Sequence, residues 1–203
     1  MSMADMQRRR SPRALREYVL ATKEAVSADV EERHRGILKE GLYKQFLDEL
    51  VPLSCFAVWA YPENCEIRWV AGNQAFDALV FDDRGLECDR VEITTPHDGK
   101  AEARDARLVV SRGYGSVRIG TPGDEVEDLV PHVLRVCQEK AKKDYADCTL
   151  VIAIHPEPSF ESLRSLREGQ IQSVADRLAA IPFKAKRAFL LVLPDTVLPL
   201  HCS

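Results

Sequence analysis

Residues Phe76–Thr95 run FDALVFDDRGLECDRVEITT. Two runs rich in apolar and β-branched residues, Ala75–Phe81 and Leu86–Thr95, flank Asp82–Asp83–Arg84–Gly85, whose Asp and Gly content is a hairpin-turn signal. Each run carries an acid among its apolar residues, Asp77 in the first and Glu92 in the second. Upstream, Glu66–Val70 alternates and Ala71–Gly72–Asn73 is a further turn, while Pro96 stops the last run. The spacing therefore predicts three strands joined by tight turns, an antiparallel meander.

Further towards the N-terminus, Val30, His34, Ile37, Leu38, Gly41, Leu42, Phe46, Glu49 and Leu50 recur at helical spacing. Asp29 is placed as an N-cap, with Glu31 and Glu32 in the first turn where negative charge suits the helix dipole. This predicts one amphipathic helix over Val30–Leu50, ended by Pro52, followed by Cys55–Tyr61 as a strand or a continuation into the core. Residues 1–28 read as an N-terminal basic arm or a short helix over Ala14–Ala25.

Beyond the meander, Ala106–Ser111 and Ser116–Ile119 are expected as a small hairpin around Gly113–Tyr114–Gly115. Thr121–Asp124 opens a helix running to about Tyr145, with Pro131 inside the pattern as a kink or as its true start. Thr149–Ile154 and Ala188–Leu193 are continuous apolar runs of the kind buried on both faces, separated by a helical stretch over Phe160–Ile181. Two such strands with a helix between them make a parallel crossover unit. The whole predicts an α/β fold: a three-layer sandwich with a mixed central sheet, an αβββαβ core plus a C-terminal helix and strand, in a single domain over 29–203.

The chain has 203 residues, 45% hydrophobic and 30% charged, with a net charge of −4. That balance excludes a grossly basic nucleic-acid binder, but not an enzyme that meets nucleic acid through one local patch. No apolar run approaches the ~20 residues of a membrane helix, and no apolar stretch follows the first arginines, so neither a membrane anchor nor a secretory signal is expected. The six cysteines are scattered without a CxxC pair and read as reduced thiols in a cytoplasmic protein.

The chemistry concentrates on the two acids. Hairpin geometry can set Asp77 and Glu92 side by side on one face of the sheet, where like charges repel unless a cation lies between them. Alternatively both point to solvent, and the alternation of Val91–Glu92–Ile93 suits that. Magnesium takes oxygen ligands, commonly one or two carboxylates with waters and substrate phosphate, and the Ile93 carbonyl could add another oxygen.

The order helix, three strands, helix, strand, with Asp in the second strand and Glu-x-Thr in the third, resembles the PD-(D/E)XK nuclease-like superfamily. The resemblance is carried by FDALVFDDRGLECDRVEITT with QEKAKKDYADCTLVIAI (residues 138–154) behind it, and spans roughly Val30–Leu193. It implies a divalent-metal nuclease fold acting on DNA or RNA with Mg²⁺ or Mn²⁺. Asp77 resembles the first metal-binding acid and Glu92 the acid of the (D/E)-x-K element. Where the pattern has lysine this chain has Thr94, which cannot carry charge. Some members place that lysine on the following helix, and this one offers Lys140, Lys142 and Lys143. On a helical wheel Lys140 falls within roughly 20° of Val133 and continues the apolar stripe, Lys142 points away and Lys143 lies at its edge. Lys140 is therefore the expected substitute. Glu40 resembles an accessory acid of the first helix.

Other candidates are His97 and Asp98 after the third strand, and His34, read as a core histidine. Arg112–Gly115 lacks the spacing of a nucleotide-binding loop, and no GxSxG, HExxH or P-loop occurs. The expected function is a metal-dependent nuclease with Asp77, Glu92 and Lys140 catalytic and with Asp77, Glu92, Ile93 and Glu40 as metal ligands. The alternatives are a binding or regulatory protein on the same fold that has lost cleavage, and an unrelated interaction protein whose acids decorate the surface.

Overall fold

A computed structural model describes residues 1–72, 74–96, 99–113, 124–154 and 164–200. A six-stranded sheet in the order β1-β2-β3-β4-β5-β6 runs through its middle. The strands are β1 Glu66–Trp69, β2 Ala78–Phe81, β3 Glu87–Thr94, β4 Asp144–Ile154, β5 Lys184–Val192 and β6 Thr196–Leu200. The meander β1-β2-β3 is antiparallel, β3-β4-β5 is parallel, and β6 returns antiparallel on β5. The protein is thus an α/β sandwich with a mixed sheet. The hairpin to β6 lies beyond the apolar runs that sequence periodicity identifies.

Alternation along β4 splits the core in two. Val151 and Ala153 face helices α1 (Met3–Met6), α2 (Pro12–Ala28) and α5 (Val51–Ala60), through Met6, Leu15, Val19, Leu53 and Phe56. Leu150, Ile152 and Ile154 face α7 (Asp124–Ala141) and α8 (Arg164–Ala179), through Val133, Cys137, Val174 and Leu178. The first 28 residues are therefore part of the packed core. Ser11 caps α2 by accepting from the Ala14 amide, and Pro12 follows where a missing N–H costs nothing. Arg10 exchanges two main-chain hydrogen bonds with Ile67, covering the outer edge of β1. Its guanidinium stacks on Tyr18 and pairs with Asp5, so this arginine serves local structure.

The helix expected over Val30–Leu50 is broken. Asp29 does cap α3 (Val30–Ile37), but Lys39 at φ 51° and Gly41 at φ 56° turn the chain through the left-handed region. Lys39 is held there by Asp48, its Nζ 2.7 Å from Oδ1. Helix then resumes as α4 (Tyr43–Gln45) and runs through a π-helical turn, Phe46–Leu50, into α5.

Pro52 does not end this helix; it sits at the start of α5, and Cys55–Tyr61 falls in the helix and its cap rather than in a strand. A proline inside a helix lacks the N–H that would bond four residues back and crowds that carbonyl. Here the residue four back is Asp48, whose carbonyl accepts a 2.6 Å hydrogen bond from Thr95 Oγ1 instead. The wide turn makes room for the ring, and the hydroxyl replaces the lost donor. Thr95→Val is expected to lower stability by about 1–2 kcal/mol by orphaning that carbonyl, read as a shift in urea midpoint at unchanged slope.

The segment expected as the first strand of a hairpin, Ala106–Ser111, lies inside α6 (Gly99–Arg112). Ala and Arg in this stretch are good helix formers, and Gly113 at φ 78° closes the helix by donating to the Val109 carbonyl. Ser116–Ile119, His97 and Asp98 lie outside the described residues. Pro131 falls within α7 and does not begin it. Among the described residues no helix is long and apolar enough to cross a membrane.

Candidate active site

The start of β2 and the far half of β3 bring the two acids together. β2 begins at Ala78, which pairs with Val91, so Asp77 and Glu92 directly flank that pair, where the ladder ends. Asp77 is therefore outside the strand rather than within it. Its carbonyl accepts from Val70, its amide donates to Val91, and its Oδ2 accepts a 2.7 Å hydrogen bond from the Ile93 N–H. The carboxylate thus stands in for a main-chain acceptor where the ladder ends. Ile93, expected to offer its carbonyl, meets Asp77 through its amide, while its side chain packs in the core.

Glu92 pairs with Leu150 in the parallel ladder and shares its face, towards α7. It is buried, and Lys140 Nζ stands 2.7 Å from its Oε1. Val133, Cys137 and Lys140 follow one another on one face of α7, so the stripe that buries the first two carries the lysine to the sheet. Lys142 instead pairs with exposed Glu139. Lys140 also lies 5.9 Å from the ring centroid of buried Tyr145.

Electrostatics set this cluster apart. Burial, then the Glu92 charge, push the Asp77 carboxyl up to about 8, against the Ile93 amide and Lys140, which favour its ionised form. For Lys140 burial works against the charge, but the hydrogen bond and charge of Glu92 outweigh it and hold the ammonium above the usual lysine value. Burial also raises Glu49, helped by the Asp48 and Glu92 charges and opposed by the 2.9 Å hydrogen bond that its Oε2 accepts from Trp69 Nε1, and the Glu49 charge is felt in turn at Asp77.

Glu49, on the π-helical turn, is thus an acid of the helical layer whose charge reaches Asp77 while its carboxylate is held by Trp69. Glu40 is exposed in the turn before α4, away from this role. The sequence held a signal for Glu49, a glutamate on the apolar stripe between Phe46 and Leu50. Nothing comparable marks Tyr145 or Trp69. Thr94, at the position expected for lysine, is buried two residues beyond Glu92, and its Oγ1 has no hydrogen-bond partner among the described residues.

A second buried carboxylate shows the contrast. Asp89, on the opposite face of β3, accepts from Tyr61 OH at 2.8 Å and Thr149 Oγ1 at 2.9 Å, and pairs with Lys186 and Arg187. Burial alone would raise its carboxyl, but these hydroxyls and cations hold it below the usual range. Asp89 is saturated, a structural rivet across β3, β4 and β5. Asp77 is undercompensated, a pattern that clusters at functional sites.

Among the described residues no three carboxylate, imidazole or thiolate groups converge to cage an ion. Two carboxylates completed by waters and substrate oxygens still suit Mg²⁺, which keeps much of its hydration. Comparison with protein-family models, with curated proteins and with solved structures finds no match to this chain. What fold and geometry define is an α/β sandwich bearing an acid pair, half-buried Asp77 and buried Glu92, at the end of its antiparallel strands, with a lysine supplied from α7, the helix before β4.

Proposed function

We propose that the chain is a divalent-metal-dependent phosphodiesterase acting on DNA or RNA, of the PD-(D/E)XK nuclease-like kind. The observation that carries this reading is the convergence of Asp77, Glu92 and Lys140, from the residue before β2, from β3 and from α7, into one partly buried cluster short of positive charge. Asp77 and Glu92 are the groups that would hold Mg²⁺ or Mn²⁺, with Glu49 behind them. A metal bound there supplies a Lewis acid for a phosphoryl oxygen and an acidified water.

The chain's own residues do the rest. The Ile93 amide fixes the Asp77 carboxylate, so that its free oxygen keeps one direction. The Lys140 ammonium neutralises charge building on the phosphate oxygens, the task that Thr94 cannot perform. Asp77→Ala is expected to abolish Mn²⁺ binding in calorimetry while leaving the circular dichroism spectrum intact. Lys140→Ala is expected to slow cleavage by ~100-fold or more, as loss of one transition-state contact typically does, while Lys142→Ala changes little. Equal Mn²⁺ affinity in wild type and Asp77→Ala would refute this site.

A second reading is a binding or regulatory protein on the same fold that has lost cleavage. Thr94 supports it, as does the ion pair by which Lys140 already neutralises Glu92. Wild-type protein that cuts neither single- nor double-stranded DNA or RNA with Mg²⁺ or Mn²⁺ would select it.

A further inference from the structure

We infer that Lys140 is the resident cation of this site, and that a divalent ion gains Glu92 only by displacing it. The inference rests on the metal-dependent reading above and adds a regulatory step to it. Lys140 Nζ lies 2.7 Å from Glu92 Oε1, with side-chain exposures of only 24% and 10%, so water competes weakly for either group. Magnesium takes its oxygen ligands at about 2.0–2.1 Å. An ion bound to the same carboxylate would stand beside the ammonium, two positive charges crowded in a partly buried pocket. One must leave, and the four-carbon lysine stem is the mobile partner.

The surroundings keep the ammonium in place until then. Tyr145 flanks it on β4, and the Asp77 and Glu92 charges both favour it. The pair is a lock that prevents two acids from facing each other without a cation. Once released, the same ammonium is free to meet an incoming phosphate oxygen. Binding of the metal would therefore precede engagement of the lysine with substrate, and one residue would serve in turn as gate and as charge stabiliser.

The test is Mn²⁺ affinity by calorimetry, with no substrate present. Lys140→Met should bind Mn²⁺ roughly tenfold more tightly or better, because a unit charge removed a few ångströms from a partly buried ion is worth at least that much. Lys140→Arg, which can grip Glu92 through two N–H groups, should bind more weakly than wild type. In the unmodified chain, Mg²⁺ titration followed by NMR should shift the Lys140 side-chain signal from its ion-paired to its free position, saturating with the calorimetric affinity. That measurement does not depend on any variant folding. Metal binding in wild type with an unmoved Lys140 signal, or with Lys140→Met no tighter, would overturn the lock and leave the metal site standing. No binding of Mn²⁺ to wild type or to Lys140→Met would overturn the metal reading itself.

Discussion

Asp89→Ala is expected to cost about 3 kcal/mol, the low end of the range for breaking a buried ion pair. The low end applies because Lys186 and Arg187, whose side chains are 46% and 45% exposed, can recover water when their partner goes. Tyr61 OH and Thr149 Oγ1 cannot do so as readily and lose the acceptor they share. Asp89→Asn separates charge from shape. The folded protein holds this carboxyl below its ordinary value, so its contribution is complete above the unfolded value, about 4, and is lost as pH falls through the folded one. Wild-type stability should therefore fall in acid below about pH 4, where Asp89→Asn should show a flatter curve. Urea unfolding at a series of pH values reads both effects. A parallel pair of curves would show that Asp89 carries no linked proton.

Phe56→Ala is expected to be at least as damaging, at about 3–5 kcal/mol. Phe56 is fully buried, at the centre of an aromatic group formed with Trp59, Tyr61 and Phe189. Its removal leaves a cavity between α5 and β5 that the rigid sheet cannot close. The expected drop in melting temperature is roughly 10 °C for a domain of this size. Trp59→Ala, at the exposed end of the same group, should cost far less, since half of that side chain already meets solvent. A small loss for Phe56→Ala would mean that this face of the core relaxes around the void.

The layered fold was legible because periodicity changes sharply along the chain. Alternation over Glu66–Val70 and unbroken apolar runs at Thr149–Ile154 and Ala188–Leu193 can satisfy only a sheet whose one end is open and whose middle is covered twice. The N-terminal layer was less legible, for a local reason. Pro52 signals a helix end wherever nothing repairs it, and its repair comes from Thr95, 47 residues along the chain from the Asp48 carbonyl that it satisfies. No local reading of Cys55–Tyr61 contains that hydroxyl. Asp77, Glu92 and Lys140 could be picked out because each stands in an otherwise apolar pattern. Glu49 stood in such a pattern too, but the resemblance drew attention to Glu40, and the break at Lys39–Gly41 puts the two glutamates in different surroundings. The β5–β6 hairpin was missed because β6, with its exposed Thr196 and Pro199, has the composition of an edge and not of a core strand.

The wide turn at Phe46–Leu50 also makes the number of residues matter as much as their identity. Each residue of a helix advances the face by about 100°, and one turn here holds a residue more than its neighbours do. Deleting a single position from it would shift the upstream and downstream parts out of phase. Glu49 would no longer sit opposite Trp69 while Phe46 and Leu50 still faced the core. An extra residue in the Leu38–Leu42 connection would be absorbed without such a rotation. Length variation among descendants of this sequence should therefore gather before Tyr43 and avoid the eight positions that follow.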